Sequence, residues 1–180
     1  MRRLLLLRHA KTETDAPSGR DKDRRLDHRG HRDAAEIGGW IAHHPPFPDR
    51  VFVSPAVRAA QTWEIVHEAM KGLAPQPKVE FLPELYGADP TQLLTTIRMA
   101  SVTDPKRLML VGHNPGMHEL ALTLTGSGED AARRALSDNL PTSGLAIFDF
   151  ATNDWDEVSF RRGKLVLFVS PKLLKQASRS

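Results

Sequence analysis

Arg8-His9 follows directly on the aliphatic run Leu4–Leu7. A cation and a nucleophile-capable imidazole are poor core material, yet they stand at the end of what reads as a short buried strand. They suit the mouth of a site that handles phosphate. Two other places repeat the pattern. Ser54-Pro55, with Arg58 close behind, follows the apolar stretch Val51–Val53, and Gly112-His113-Asn114 follows Leu108–Val111. Two histidines and two arginines meeting at one rim fit phosphoryl transfer. The arginine fork matches phosphate oxygens in pairs. One neutral histidine can attack phosphorus, and a second, protonated, can stabilise charge on the equatorial oxygens. Positioning and charge neutralisation supply most of what such a transfer requires.

The elements that would hold these groups alternate. Strands are expected at Leu4–Leu7, Val51–Val53, Lys78–Leu82 and Leu108–Val111. Helical spacing places Ala34, Ile37, Trp40 and Ile41 on one face over Gly30–His44, and Ala59, Trp63, Val66 and Met70 on another. Ser54 is expected to cap the second helix, with Pro55 in its first position. Thr91–Ala100 should bury Leu93, Leu94 and Ile97, and Pro115 should open a further helix. Thr12–Asp27 reads as a polar loop. Beyond residue 126, Leu145–Phe150, Val158–Phe160 and Leu165–Val169 read as strands joined by turns without helices, which makes part of the sheet antiparallel. The fold expected is α/β: a three-layer α/β/α sandwich around a mostly parallel sheet, one domain over residues 1–175 with 176–180 as a flexible tail. Ligands of such open sheets bind outside the carboxyl ends of the strands. The three unusual strand ends should therefore share one rim.

Composition narrows the classes. The 180 residues carry no cysteine, which excludes disulfides and thiolate metal sites. His28 and His31 are spaced for one helix face, but no further ligands are patterned around them, and His43-His44 abuts two prolines. No metal and no cofactor is expected. The net charge of +3 is modest, and the basic residues of Arg20–Arg32 are interleaved with acids. That is not the one-signed stripe of a nucleic-acid binder. Met1-Arg2-Arg3 is followed by only four apolar residues before Arg8, short of the ~7–15 a secretory leader uses. No stretch approaches the ~20 apolar residues of a membrane span. A cytoplasmic protein with no membrane and no nucleic-acid partner is expected, its oligomeric state open.

Leu7-Arg8-His9-Ala10-Lys11 resembles the signature of the histidine phosphatase (phosphoglycerate mutase-like) superfamily. Ser54-Pro55-Ala56-Val57-Arg58-Ala59-Ala60-Gln61-Thr62 resembles its second motif, and Val111-Gly112-His113-Asn114-Pro115 its third. The Arg-His-Ala-Lys form, the short chain and Glu84-Leu85-Tyr86 resemble the SixA-like phosphohistidine phosphatase branch. The resemblance implies that His9 is the nucleophile that becomes phosphohistidine, and that Arg8, Arg58 and His113 bind the phosphoryl group. It implies a further arginine in the loop after the first strand. Arg24 is in register within Asp23-Arg24-Arg25-Leu26, although Arg25 stands where that branch commonly has proline. Glu84 is the positional candidate for the general acid. Asn114 stands where the acid phosphatase branch has an aspartate, which argues against that branch.

The substrate expected is a phosphorylated small molecule or a phosphohistidine protein. A mutase-type phosphotransferase is the rival within the enzyme class, weakened by the lack of inserted sequence for a lid. A non-catalytic phosphate-dependent binding module is the rival from another class, and intact His9, Arg8, Arg58 and His113 argue against it.

Overall fold

A computed structural model describes residues 1–73 and 75–179. The elements run β1 (Arg2–Arg8), α1 (His28–Ala42), β2 (Arg50–Val53), α2 (Val57–Met70), β3 (Lys78–Phe81), α3 (Pro90–Arg98), β4 (Arg107–Gly112), α4 (Gly116–Leu124), β5 (Thr125–Gly128), α5 (Asp130–Asp138), β6 (Leu145–Phe150), β7 (Gly163–Val169) and α6 (Pro171–Ser178). Among the described residues the strands form one seven-stranded sheet in the order β3-β2-β4-β1-β6-β7-β5. β1, β2, β3 and β4 are mutually parallel. β6 runs against both of its neighbours, β1 and β7, and β5 runs with β7. The expected α/β sandwich is what forms.

The period-two alternation of the strands divides the core. Leu4 and Leu6 of β1 and Leu108 and Leu110 of β4 pack on one face with Leu93, Ile97, Leu120 and Trp155. Leu5 and Leu7, with Met109 and Val111, pack on the other with Ile37, Ile41, Trp63 and Val66. Both faces are covered, so the central strands are aliphatic at nearly every position. Trp63 belongs to this core, whereas Trp40 is half-buried at its edge and stacks on His44.

Register levels the three strand ends. Leu7 pairs with Val111, and Val111 with Val53. The residues that follow each of them therefore emerge on one rim. The His9 amide donates to the Gly112 carbonyl at 3.0 Å, and the Ser54 amide to the Val111 carbonyl at 3.0 Å. Because β6 is antiparallel, its start reaches the same rim: the Arg8 amide donates to the Gly144 carbonyl at 3.0 Å.

Several expectations need correction. Val158–Phe160 is not a strand. Trp155–Glu157 forms a short 3-10 turn, the Trp155 indole donates to the Pro105 carbonyl, and Arg98 Nε takes the Val158 carbonyl, so that segment has no ladder to join. Helices do interrupt this region: α5 precedes β6, and α6 follows β7. Residues 176–178, expected in a tail, are the end of α6, and Ser170 caps that helix by accepting from the Leu173 amide. β5, with the sequence Thr-Gly-Ser-Gly, carries no strand signal. It pairs because Gly126 lets the backbone come close: a Cβ there would lie 1.9 Å from the Arg161 carbonyl oxygen. Finally, α2 starts at Val57 with Ala56 at its cap position and no side-chain cap. Ser54 is used elsewhere.

Candidate active site

His9 leaves β1 almost fully buried. Its Nδ1 lies 2.8 Å from the Ala10 carbonyl oxygen, which can only accept, so Nδ1 carries the proton of the neutral ring and Nε2 keeps its lone pair. The Ala10 amide donates to Thr62 Oγ1 at 2.9 Å, and the Thr62 hydroxyl donates to the Arg58 carbonyl at 2.7 Å. One threonine thus ties the strand that carries the nucleophile candidate to the helix that carries Arg58. The His9 and His113 ring centroids are 5.2 Å apart.

Arg8 is half-buried and donates from Nη1 to the Leu140 carbonyl. Arg58, in the first turn of α2, is buried. It donates from Nη1 to the Asp21 carbonyl at 2.7 Å and from Nη2 to Asp21 Oδ2 at 2.9 Å. Asp21 also receives Arg24 Nε at 2.9 Å and the Tyr86 hydroxyl at 2.6 Å. Tyr86 sets its ring edge against His113, centroids 5.6 Å apart. Of the two candidate loop arginines, Arg24 joins this cluster and Arg25 pairs outward with Glu13. The loop reaches the site because its two ends are stitched together: Thr12 bridges to Leu26, the Asp27 amide donates to the Lys11 carbonyl, and Leu26 is held by Gln61 of α2. Gly30 permits that closure, since a Cβ there would fall 2.0 Å from the Lys11 carbonyl oxygen.

Burial is the main cause of the electrostatics. It pushes His9 down to about 3, with His113, Arg8 and Arg58 adding in the same direction. It pushes His113 down to about 4, with Arg58 next. Both rings are therefore neutral near pH 7 in the free site. The second histidine is not the resident cation expected from the sequence; the arginines supply the positive charge. Asp21 is held well below the usual carboxylate range by the Tyr86 hydroxyl and by Arg58, so it stays ionised. The Tyr86 hydroxyl is raised because it donates to that carboxylate.

Among the described residues, five buried side-chain polar atoms lack a hydrogen-bond partner: Arg8 Nε, Arg58 Nε, His113 Nδ1, Ser143 Oγ and Asp33 Oδ2. Four of the five belong to this rim, and three of those are arginine or histidine nitrogens. An unsatisfied buried polar group costs about 1–3 kcal/mol. A tetrahedral oxyanion between the two arginines and His113 is the kind of group that would satisfy them.

Glu84 is not joined to the cluster. It is exposed on the 3-10 turn Pro83–Leu85 and has no hydrogen bond to either histidine. Tyr86, two residues on, is what reaches His113. Asn114 donates to the Leu140 carbonyl and accepts the His118 amide, a structural use of the side chain. His118 likewise bonds the Leu136 carbonyl. Lys11 lies 3.9 Å from Asp27, half-exposed at the rim. A cavity of about 180 Å³ beside His113 is lined by Ala88, Asp89, Asn114 and Glu119. The larger groove of about 610 Å³ between α1 and α2 holds none of the rim histidines or arginines.

Sequence reasoning missed four residues. Asp21 reads as part of a polar loop, Tyr86 enters only within the Glu84-Leu85-Tyr86 resemblance with no role of its own, and Ser54 reads as a helix cap. Ser143 is fully buried with φ of 59°, its amide 3.2 Å from the Arg8 carbonyl and 3.1 Å from that of His9. The Pro-Thr-Ser-Gly run around it was the available signal, a tight turn immediately before a buried strand.

The model of the histidine phosphatase superfamily (branch 1) matches residues 4–100, from β1 to the end of α3. The chain belongs to that superfamily. An uncharacterized protein of Mycobacterium leprae is 36% identical over 173 residues, covering 92% of this chain and 100% of the relative. A crystal structure from Agrobacterium tumefaciens, assigned as a phosphohistidine phosphatase SixA, superimposes with a TM-score of 0.77 at 34% identity, over 94% of this chain and 98% of that one. The protein histidine phosphatase SixA in complex with tungstate gives a TM-score of 0.73 at 23% identity, over 96% and 99% of the two chains, a likeness of fold. The chain is thus SixA-like within its superfamily.

Among the described residues no group of three or more His, Asp or Glu side chains is placed to hold a metal ion, and no helix is long and apolar enough to cross a membrane.

Proposed function

We propose that the protein is a phosphatase that hydrolyses a phosphomonoester or a protein phosphohistidine through a covalent intermediate on His9. The observation that carries this reading is the set of unpartnered buried nitrogens on Arg8, Arg58 and His113 beside a histidine whose Nε2 is free. In the first step the Nε2 lone pair attacks phosphorus in line. The bond from phosphorus to the leaving group breaks, and the leaving group takes that electron pair and a proton from solvent. Arg8, Arg58 and His113 hold the equatorial oxygens, with Arg24 at the loop side. In the second step water attacks the phosphohistidine, and inorganic phosphate and neutral His9 are restored. No group on the protein is needed to deprotonate His9, because burial already keeps it neutral. An imidazole leaving group, pKa ~6.5, departs more readily than an alkoxide, which favours phosphohistidine among the substrates.

Incubation with an aryl phosphate and with a phosphohistidine peptide, beside a His9→Ala variant, tests this reading. Phosphate release by the wild type alone, with an acid-labile phosphoenzyme trapped on His9, is expected. Equal release by both proteins would remove His9 from the mechanism, and isomerisation of a phosphoglycerate without net hydrolysis would make the protein a mutase.

A further inference from the structure

His113 Nε2 lies 2.6 Å from Ser54 Oγ, while its Nδ1 is buried with no hydrogen-bond partner among the described residues. Ser54 is itself fully buried, and its Oγ accepts the Ala56 amide at 3.3 Å. A hydroxyl has one proton to give. With the Ala56 amide supplying a donor to the oxygen, the Ser54 proton is left for the acceptor beside it, which is His113 Nε2. A neutral imidazole carries a single N–H, and receiving a proton at Nε2 places that N–H on Nδ1. The opposite arrangement, with Nε2–H donating to Ser54, would give the serine oxygen two donors and leave its own proton without an acceptor. It would also aim a lone pair from Nδ1 at an incoming phosphoryl oxygen.

We propose that Ser54 is a positioning residue that sets the tautomer of His113, so that Nδ1–H is the donor presented to the phosphoryl oxygens. The proposal rests on the phosphate site described above. It fits the placing of Ser54 two residues before the Ala56 cap position of α2, where its proton is left for the histidine. It also separates the two histidines by a single rule: each has one nitrogen held inside the protein, Nδ1 of His9 by a carbonyl and Nε2 of His113 by a hydroxyl. The carbonyl can only accept, which leaves His9 a nucleophile. The hydroxyl donates, which leaves His113 a hydrogen-bond donor.

Long-range 15N–1H correlation spectra of 15N-labelled protein at neutral pH read the tautomer directly, with His113→Gln assigning the signals. The wild type is expected to carry the His113 proton on Nδ1. Ser54→Ala is expected to move it to Nε2 and to weaken inhibition by orthovanadate about tenfold, the loss of one hydrogen bond. Ser54→Thr, which retains the hydroxyl, should restore both. A proton found on Nε2 in the wild type overturns the proposal without any variant having to fold. So does a Ser54→Ala protein that keeps the Nδ1 proton, even if its inhibition changes. A wild type with the proton on Nδ1 whose His113 signals ignore orthovanadate would instead remove the phosphate-site reading and leave the control by Ser54 standing.

Discussion

Asp21 and Arg58 are joined twice, once through the Asp21 carbonyl and once through its carboxylate. Both terminal nitrogens of the guanidinium are thereby turned toward the loop, and the buried Nε is left without a hydrogen-bond partner. The same carboxylate takes Arg24 and the Tyr86 hydroxyl, so one aspartate aligns three groups around His113. Asp21→Ala is expected to lower kcat/KM on an aryl phosphate about tenfold or more, because small displacements of a positioning group are costly. Tyr86→Phe removes one of the contacts and should cost less. Steady-state kinetics on the three proteins give the ranking; an Asp21→Ala enzyme equal to wild type would mean that Arg58 orients itself.

The depressed histidines predict the acid side of the pH profile. His9 at about 3 stays neutral through the mildly acidic range, so kcat/KM, corrected for the second ionisation of the substrate, should show no acid limb near the ordinary imidazole value. A limb at ~6.5 that disappears on changing only the substrate would belong to the substrate. One that persists across substrates contradicts a buried neutral His9 acting as the proposed nucleophile.

Stability should move in the same window. His9 and His113 are lowered on folding, so between their folded values, about 3 and about 4, and the unfolded value the unfolded chain binds more protons than the native one. Stability therefore rises with pH across that window and is lost as pH falls through it. Urea midpoints measured from pH 7 downward should decline in the wild type, and less steeply in a His9→Gln, His113→Gln double variant. Parallel slopes would show that other groups dominate acid unfolding.

Glu84 offers a sharper test of the acid. An effective general acid contributes about 10²–10⁴-fold. Since Glu84 is exposed and bonded to neither histidine, Glu84→Gln should leave kcat nearly unchanged on aryl and alkyl phosphates alike. A loss of that size confined to the alkyl phosphate would restore it as the proton donor.

A fifth expectation concerns the core. Trp155 is fully buried and its indole serves the Pro105 carbonyl at 2.6 Å. Trp155→Ala combines a large cavity with a stranded carbonyl and should cost about 3–5 kcal/mol. Thermal unfolding of this variant beside Trp40→Ala, whose side chain is only half-buried, should rank them in that order.

What could be read from the chain, and what could not, follows the range of the interactions involved. Arg8, His9, Arg58 and His113 were legible because each interrupts or directly follows an aliphatic run, and parallel register then levels the strand ends. The role of Ser54 was not, since its hydroxyl meets a residue 59 positions away. Asp21 and Tyr86 meet across 65 positions with no periodicity to announce it. Val158–Phe160 has the composition of a strand, but Arg98 claims its carbonyl and Val158 packs inward instead. β5 failed the opposite way: its glycines carry no strand signal, and the neighbouring Arg161 backbone explains them.

The reversed direction of β6 has a consequence for how the molecule is made. β1 leaves the ribosome ahead of the strands beside it, yet its two edges are filled by β4 and β6, and Arg8 reaches its carbonyl partner Leu140 across 132 positions of sequence. A nascent chain that has not yet extruded β6 presents Leu4–Leu7 with an open edge and Arg8 without its anchor. Contacts of such long range form late and slowly. The order of synthesis and the order of assembly therefore run in opposite senses: β1 is translated before the strands that enclose it, and His9 waits with it.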